Sequence, residues 1–350
     1  MAVRNLIVEE FLFLAKMRPV LDVRSPSEYA HAHIPGAVSF PIFNDAERAE
    51  IGTAYKQRNR EDAIKIGLTS FGPRMKEMVE NAEKISAKSS GEILVHCWRG
   101  GMRSGAVAWL LDLYGYNVCV LKGGYKAYRT QVLVSFEKTY PFVIVGGNTG
   151  SGKTLTLHEL KKKGFPVLDL EGIACHKGSA FGSIPGVEQP GQEQFENNLN
   201  HALREFDFLP KEQSIFVEDE SQRIGSVNLP ASIYQSVRNG KQFYLDIPFE
   251  ARLDFILEDY QSIKAPELVA SIMRIKKRLG PLETKSAINF LLEEEKRNCF
   301  KILLEYYDKH YGKSMLARAI PLHKIPAETV TPIANAAKII QSLNEENERT

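Results

Sequence analysis

The sequence predicts an α/β protein of two domains, each built on a parallel sheet, the second ending in a helical part. Short β-branched and apolar runs alternate with segments of helical periodicity, which is typical of parallel α/β sheets. Polar residues able to do chemistry follow several of these runs, where open sheets bind their ligands. The length of 350 residues suits two domains, and we place them at residues 1–134 and 135–350.

Composition excludes several classes of protein. The chain is 43% hydrophobic and 25% charged, with a net charge of +2. The overall charge therefore does not indicate a polyanionic partner. The basic excess lies in residues 1–134, which weakly indicates an anionic partner there. The four cysteines form no C-x-x-C pair, and this predicts reduced thiols in a cytoplasmic protein. The apolar run at 11–15 is too short to span a bilayer, so we expect no membrane partner.

The elements of the first domain follow in order along the chain. Residues 20–23 read as a buried strand, followed by a turn into a helix and, after a loop, a further strand. The apolar runs at 93–96 and 118–121 predict two more strands, with an apolar helix at 105–114 between them.

Cys97 follows the strand at 93–96 and opens a loop that leads into a helix. Loop N–H groups would converge on its sulfur, and with Arg99 and Arg103 they should lower its pKa and favour the thiolate. Such a cradle also binds an oxyanion placed on or near the sulfur. The alternative is a buried structural cysteine, which the two arginines and two glycines of the loop disfavour.

A basic stretch with one aromatic residue lies between these strands, at 52–64. It would either contact RNA phosphates or form the solvated entry of a helix, and the sequence favours neither.

The second domain opens on a phosphate loop of the pattern G-x-x-x-x-G-K-[ST]. An apolar strand at 143–147 precedes it, and a helix at 155–163 follows. Glycines let backbone N–H groups surround an anion, and the helix N-terminus adds its positive dipole end. Lys153 would neutralise a terminal phosphate. The predicted phosphate-binding residues of the loop are Gly147, Asn148, Thr149, Gly150, Ser151, Gly152, Lys153 and Thr154.

A second set of polar residues follows the strands after the phosphate loop. The run at 165–171 is strand-like, and the Gly-rich stretch at 172–191 is either functional or disordered. A helix is predicted at 194–209, and a strand at 215–220 ends in three acids. Thr154 and Asp219 are assigned as a Mg²⁺-holding pair, although the sequence does not choose between Asp219 and its neighbours Glu218 and Glu220. Arg223 is predicted to meet a second phosphate.

Helices dominate the end of the chain. After one more strand at 242–246, helical periodicity covers 249–260, 266–279 and a long amphipathic segment at 283–310.

The first domain resembles the rhodanese family. The match comprises the segments 21–24, 28–29 and 33–37 together with the loop that begins at Cys97. The resemblance implies that Cys97 carries sulfur or selenium. The spacing C-x₅-R from Cys97 to Arg103 is one residue longer than the usual sulfurtransferase loop and is similar to that of dual-specificity phosphatases. It favours a larger anion, such as phosphate or a phosphorylated chalcogen.

Almost the whole chain resembles the tRNA 2-selenouridine synthase family, in which a rhodanese domain precedes a P-loop NTPase-like domain. The match comprises the Cys97 loop, the phosphate loop, and the segments 55–57, 169–172, 178–182 and 218–221. This fusion is more specific than either motif alone.

The resemblance implies a two-step exchange on tRNA. The 2-thio group of the wobble uridine in tRNAs for Lys, Glu and Gln first takes a geranyl chain from geranyl diphosphate. Selenium from selenophosphate then replaces the S-geranyl group. In this interpretation the phosphate loop holds the departing diphosphate, and Cys97, Arg99 and Arg103 act in selenium transfer, with Cys97 either carrying selenium or orienting its donor. We expect a monomer without a prosthetic group, with Mg²⁺ use left open.

Two other functions remain as alternatives. One is a sulfurtransferase or phosphatase fused to an ATP-dependent kinase, which would turn over ATP without RNA. The other is a non-catalytic RNA- or nucleotide-binding regulator, which the intact Cys97, Lys153 and Thr154 disfavour. The geranyl pocket should be apolar and close to Lys153, with the C-terminal helices as candidate walls.

Overall fold

The computed structural model describes residues 3–86, 91–178, 187–210, 213–261, 263–316 and 322–348. The chain separates into two compact units. The first comprises Met1–Ser135 together with Glu196–His201, and the second comprises Phe136–Phe195 and Ala202–Thr350.

The first unit is built on a parallel five-stranded sheet, as predicted. Its strands pair in the order β1-β5-β4-β2-β3. They are β1 (Arg4–Leu6), β2 (Val20–Asp22), β3 (Val38–Ser39), β4 (Glu92–His96) and β5 (Asn117–Leu121). Its helices are α1 (Val8–Ala15), α2 (Pro26–His31), α3 (Asp45–Gln57), α4 (Arg60–Phe71), α5 (Met75–Ser86), α6 (Met102–Tyr114) and α7 (Gly124–Ser135), with a short 3₁₀ helix at Gly72–Arg74.

Buried apolar side chains lie on both faces of the sheet in this unit. Leu21, Ile93, Leu94 and Val95 are fully buried. Consecutive buried residues on β4 show that both faces of the sheet are covered, as a parallel sheet requires. The strands therefore read as continuous apolar runs in the sequence, and their carboxyl ends open at one edge.

Two consecutive helices, α3 and α4, follow β3 in the chain and precede β4, and they contain most of the basic stretch at 52–64. Asn44 caps α3 by accepting a hydrogen bond from the N–H of Glu47 at 2.9 Å. Asn59 caps α4 by accepting one from the N–H of Asp62 at 2.7 Å. Both residues are N-caps, so each fixes where its helix begins, and α4 starts within a few residues of the end of α3. The two helices pack against each other.

The second unit also contains a parallel five-stranded sheet, in the order β12-β11-β6-β8-β7. Its strands are β6 (Phe142–Gly147), β7 (Val167–Leu168), β8 (Ile215–Glu218), β11 (Lys241–Asp246) and β12 (Leu322–Pro326), and β9 (Arg223–Ile224) and β10 (Val227–Asn228) form a separate antiparallel pair. The helices that follow α7 in the chain are α8 (Lys153–Lys162), α9 (Leu170–Ala174), α10 (Gln192–Arg204), α11 (Ala231–Arg238), α12 (Phe249–Asp259), α13 (Ala265–Leu279), α14 (Pro281–Leu292), α15 (Lys296–Leu316) and α16 (Pro332–Asn347), with a 3₁₀ helix at Glu205–Phe208.

The prediction of one long helix at 283–310 is wrong. The segment forms α14 and α15, and the chain turns between them at Glu294, whose φ is +63°. A left-handed residue ends a right-handed helix. The turn lets Leu291 of α14 and Cys299 of α15 enter one apolar core with Leu253 of α12. Burial of two apolar faces in one core outweighs continuation of a single helix.

No helix in the described part of the chain combines the length and apolar character needed to cross a bilayer.

Candidate active sites in the two units

The Cys97 loop is anchored by the start of α7. The N–H groups of Tyr125 and Lys126 donate to the carbonyls of Cys97 and Trp98 at 2.8 and 3.0 Å. These are N-terminal N–H groups of a helix, which have no partner within the helix itself. The loop is therefore fixed through its backbone at the carboxyl edge of the sheet, where the sequence predicted a ligand site.

Two glycines make this close approach possible. Gly100 (φ +63°) and Gly124 (φ +60°) lie against each other. A Cβ at Gly124 would overlap the carbonyl oxygen of Cys97 and the nitrogen of Gly100. A Cβ at Gly100 would overlap the carbonyl oxygen of Leu121.

Backbone and hydroxyl groups surround the Cys97 sulfur. Burial raises the pKa of this thiol, but hydrogen bonds from Ser104 Oγ and from the N–H groups of Gly101, Ser104 and Arg99 outweigh it and lower the pKa overall. Cys97 Sγ and Ser104 Oγ are 3.2 Å apart. The thiol is only 3% exposed. These donors can stabilise a thiolate, and donors of the same kind can bind another anion at this site.

The two predicted arginines differ in their surroundings. Arg103 Nη1 donates to Glu28 Oε2 at 2.6 Å. Glu28 is also 3.5 Å from Arg48. Although burial opposes it, the bond from Arg103 holds the pKa of Glu28 below its usual value. Arg99 contributes its N–H to the sulfur, and its side chain is exposed. The arginine side chains thus line the site, while the donors to the sulfur come from backbone and Ser104.

Buried polar residues support β2 and β4 beneath the loop. Arg24 is 1% exposed and pairs with Asp22 at 2.5 Å. Its guanidinium lies 3.9 Å from the centre of the Tyr125 ring. His96 Nε2 lies 3.6 Å from Asp22 Oδ2, and burial lowers the pKa of His96 to about 4, although Asp22 acts in the opposite direction. His96 is therefore neutral at pH 7 and has a structural place in the sheet.

A cavity of about 740 Å³ opens beside Cys97. We call it the Cys97 cavity. Sequence reasoning did not find it, because its walls come from α3, α4 and the Cys97 loop, which are far apart along the chain. Its lining is mostly apolar and comprises Ile42, Phe43, Ala49, Ile51, Gly52, Thr53, Tyr55, Ala63, Ile64, Gly67, Leu68, Phe71, Trp98, Gly101, Met102 and Ala106, with Cys97 and the cationic Arg48, Lys56, Arg99 and Arg103.

In the second unit the phosphate loop joins β6 to α8, as predicted. Gly150 and Gly152 have φ values of +81° and +70°, which let the backbone turn around the loop interior. Lys153 Nζ donates to the carbonyl of Gly147 at 3.1 Å. The Lys153 side chain thus lies back across the phosphate loop, where a phosphate would also bind.

Arg252 braces the phosphate loop and was not found from the sequence. It is 3% exposed, and its Nη1 donates to the carbonyl of Thr149 at 3.0 Å. It also pairs with Asp308 at 2.6 Å. The loop conformation therefore depends on α12 and α15. Its position within a helical segment of the sequence did not indicate a contact with the phosphate loop.

The acid beside Thr154 is Glu171, which the sequence analysis did not assign. Thr154 Oγ1 donates to Glu171 Oε2 at 2.7 Å. Asp219, the assigned metal residue, accepts instead from Gln242 Nε2 at 3.0 Å. A hydroxyl and a carboxylate side by side are oxygen donors of the kind that Mg²⁺ uses together with substrate phosphates. Within the described residues, no three His, Cys, Asp or Glu side chains converge as a metal-binding group.

Burial favours the neutral form of the acids near Thr154. Burial, with the nearby charge of Glu171, raises the pKa of Glu220 to about 8, even though Lys153 acts in the opposite direction. Burial likewise raises the pKa of Glu171 and that of Glu218. Glu218 Oε2 accepts from the N–H of Leu170 at 2.9 Å, so this acid also positions the start of α9.

Arg223 lies on β9, in the separate antiparallel pair. Its side chain is exposed, and its Nε donates to the carbonyl of Gly225 at 3.0 Å. Its predicted contact with a second phosphate stays a prediction. The glycine-rich run at 178–182 falls largely on residues 179–186, which lie outside the described residues.

Comparison with known proteins assigns both units to families. A model described as "tRNA 2-selenouridine synthase AAA domain" matches residues 140–324, and a rhodanese-like domain model matches residues 9–131. The tRNA 2-selenouridine synthase of Nitrosomonas europaea is 36% identical over 294 residues, which cover 83% of this chain and 74% of that protein. A protein of the same name from Pseudomonas putida is 34% identical over 338 residues, covering 86% of this chain and 89% of the relative.

Proposed function

Because the chain belongs to the tRNA 2-selenouridine synthase family, we propose that it replaces sulfur by selenium in the wobble 2-thiouridine of tRNAs for Lys, Glu and Gln, in two steps at its two anion sites. The phosphate loop serves a geranyl transfer. The Cys97 loop serves the selenium exchange. The observation that carries this proposal is the presence, in one chain of this family, of a phosphate loop with Lys153 and a separate thiol loop built to hold negative charge.

The first step alkylates the 2-thio sulfur. The sulfur attacks C1 of geranyl diphosphate, the C1–O bond breaks, and diphosphate leaves with the bonding electrons. The N3 proton of the base is released, so the S-geranyl nucleoside is neutral. Charge develops on the leaving diphosphate, and Lys153 with the N–H groups at the start of α8 stabilises it. A Mg²⁺ ion bound with the diphosphate would take protein oxygens from Thr154 and Glu171, and would neutralise part of that charge.

The second step exchanges sulfur for selenium. Selenium of selenophosphate attacks C2 of the base, the C2–S bond breaks, and the geranyl thiol departs with a proton. Water then cleaves the Se–P bond, which gives the 2-seleno nucleoside and inorganic phosphate. Alkylation makes this exchange possible, because an alkylated sulfur leaves as a thiol. The donors around Cys97, with Arg99 and Arg103, suit an anion such as selenophosphate.

The test is direct. The protein is incubated with 2-thiouridine tRNA, geranyl diphosphate and selenophosphate, and the RNA is digested to nucleosides for mass spectrometry. We expect the S-geranyl nucleoside without selenophosphate and the 2-seleno nucleoside with it. Absence of both products, with ATP turnover in the absence of RNA, would instead support a kinase fused to a sulfurtransferase or phosphatase.

A further inference from the structure

We propose that the Cys97 cavity binds the geranyl chain of the S-alkylated nucleoside during the selenium exchange. This inference rests on the proposed function and assigns the site of its second substrate. It places the pocket for the geranyl chain in that step in the first unit. The geranyl pocket close to Lys153 that the sequence analysis expected stays a prediction.

Several large apolar side chains that are exposed to solvent line the Cys97 cavity. Tyr55, Leu68 and Met102 are 52%, 57% and 49% exposed, and all three line it. Ile64 and Trp98, each 39% exposed, complete the same surface. Single exposed apolar residues are ordinary, but a contiguous group around one concave site marks a place for an apolar ligand.

The walls of the cavity come from helices α3 and α4 and from the Cys97 loop. α3 and α4 pack together, and the buried Phe43 and Phe71 are part of the lining. The cavity is thus lined by several elements of the fold.

Charge at the cavity matches a nucleotide that carries an alkyl chain. Lys56 and Arg99 line it without an ion pair to any residue in the described ranges. Arg48 and Arg103, also in the lining, share Glu28. Unpaired cations suit phosphates of RNA or of the selenium donor, while the apolar wall suits the chain.

The volume also fits this occupant. At about 740 Å³ the cavity lies within the roughly 300–1,000 Å³ of small-molecule pockets. Selenophosphate alone is small and fully polar, so it gives no reason for an apolar wall. A chain attached at C2 through sulfur would place that carbon beside the Cys97 loop, because the thiol itself is part of the lining.

The experiment varies the length of the chain. Anticodon stem-loop RNAs with S-methyl, S-dimethylallyl or S-geranyl 2-thiouridine are each given to the full-length protein with selenophosphate, and kcat/KM for the seleno product is measured. We expect the wild type to prefer geranyl over methyl by about tenfold or more, since each buried methylene adds affinity. The double variant Ile64→Gln with Leu68→Gln should lose most of this preference and should form S-geranyl RNA from geranyl diphosphate as the wild type does.

The matched control is Leu113→Gln. Leu113 is a leucine of α6 that is 68% exposed and lies outside the lining, so its replacement should leave the preference unchanged. A double variant with the wild-type preference, or one that loses geranyl transfer from the diphosphate instead, would overturn the inference and leave the proposed function standing. A wild-type protein that forms no seleno product from S-geranyl RNA would reject the proposed function itself.

Discussion

At the scale of single residues, the charge on Cys97 is controlled by donors that point at its sulfur. Three backbone N–H groups and the Ser104 hydroxyl lower the pKa of the thiol against the effect of burial. The arginines of the loop lie around this cradle, with Arg103 held by Glu28. The thiolate therefore depends on the loop conformation more than on nearby side-chain charge.

Replacement of Ser104 by Ala should raise the pKa of Cys97, because it removes a side-chain hydrogen bond that favours the thiolate. The measurement is the ultraviolet absorbance of the thiolate as a function of pH, with Cys97→Ala as the background for the other thiols. An unchanged titration would show that the backbone N–H groups alone set this pKa.

His96 should make stability fall in mild acid. Its pKa in the folded chain is about 4, below the ordinary 6.5, so between these values the unfolded chain binds a proton that the folded chain does not. His96 therefore does not reduce the free energy of unfolding above pH 6.5. Below that pH the free energy of unfolding declines as the pH falls towards 4, by up to about 3 kcal/mol. Urea unfolding at pH 7 and pH 5 should show a smaller difference for His96→Asn than for the wild type.

The control for this prediction is His31→Gln, at an exposed position of α2, which should keep the wild-type pH dependence. An equally steep decline in His96→Asn would assign the effect to other groups.

At the scale of elements, the phosphate loop and its flanking strand and helix were predictable, because a local pattern specifies them. Gly147 to Thr154 carry the turn, and β6 and α8 follow from continuous apolar and helical runs. The partners of the loop were not predictable. Glu171 and Arg252 reach it from α9 and α12, through contacts that no sequence spacing reveals. The break at Glu294 was missed for a related reason, since the turn brings α14 and α15 into one apolar core with α12 and α13, and the sequence does not reveal that packing.

The turn between α14 and α15 gives a test at this scale. Glu294→Gly should raise stability by about 0.5 kcal/mol, because glycine removes the left-handed strain of a φ of +63° at a smaller entropic cost. Glu293→Gly, at a φ of −83°, should lower stability by about 0.5–1 kcal/mol. Urea unfolding of both variants checks the two signs. Equal destabilisation by both would mean that residue 294 is not left-handed in solution.

At the scale of the whole molecule, two parallel sheets each present a loop for an anion after a central strand. The sequence predicted both loops because each lies within one contiguous segment. The Cys97 cavity escaped prediction because it is assembled from α3, α4 and the loop after β4. Contiguous sites can be found from a sequence, whereas pockets assembled from separate elements need the fold.

The two-site proposal predicts a split phenotype. Cys97→Ala should lose selenium exchange more than geranyl transfer, and Lys153→Ala should lose geranyl transfer first. A mixture of the two variant proteins should recover the seleno product, since S-geranyl tRNA released by one is a substrate for the other. Nucleoside mass spectrometry follows both products. Equal loss of both steps in each variant would argue against separate sites.

The contact between Gly100 and Gly124 limits how this site can evolve. A Cβ at either position meets backbone atoms of the facing segment, which include the nitrogen of the other glycine and the carbonyl oxygen of Leu121 or Cys97. Most core substitutions can be rescued by a smaller residue opposite, but here the obstacle is main chain and nothing smaller than glycine exists. We therefore expect that saturation libraries at these two positions, even combined, return only the original pair, so that laboratory evolution of a new donor specificity must work through the cavity walls.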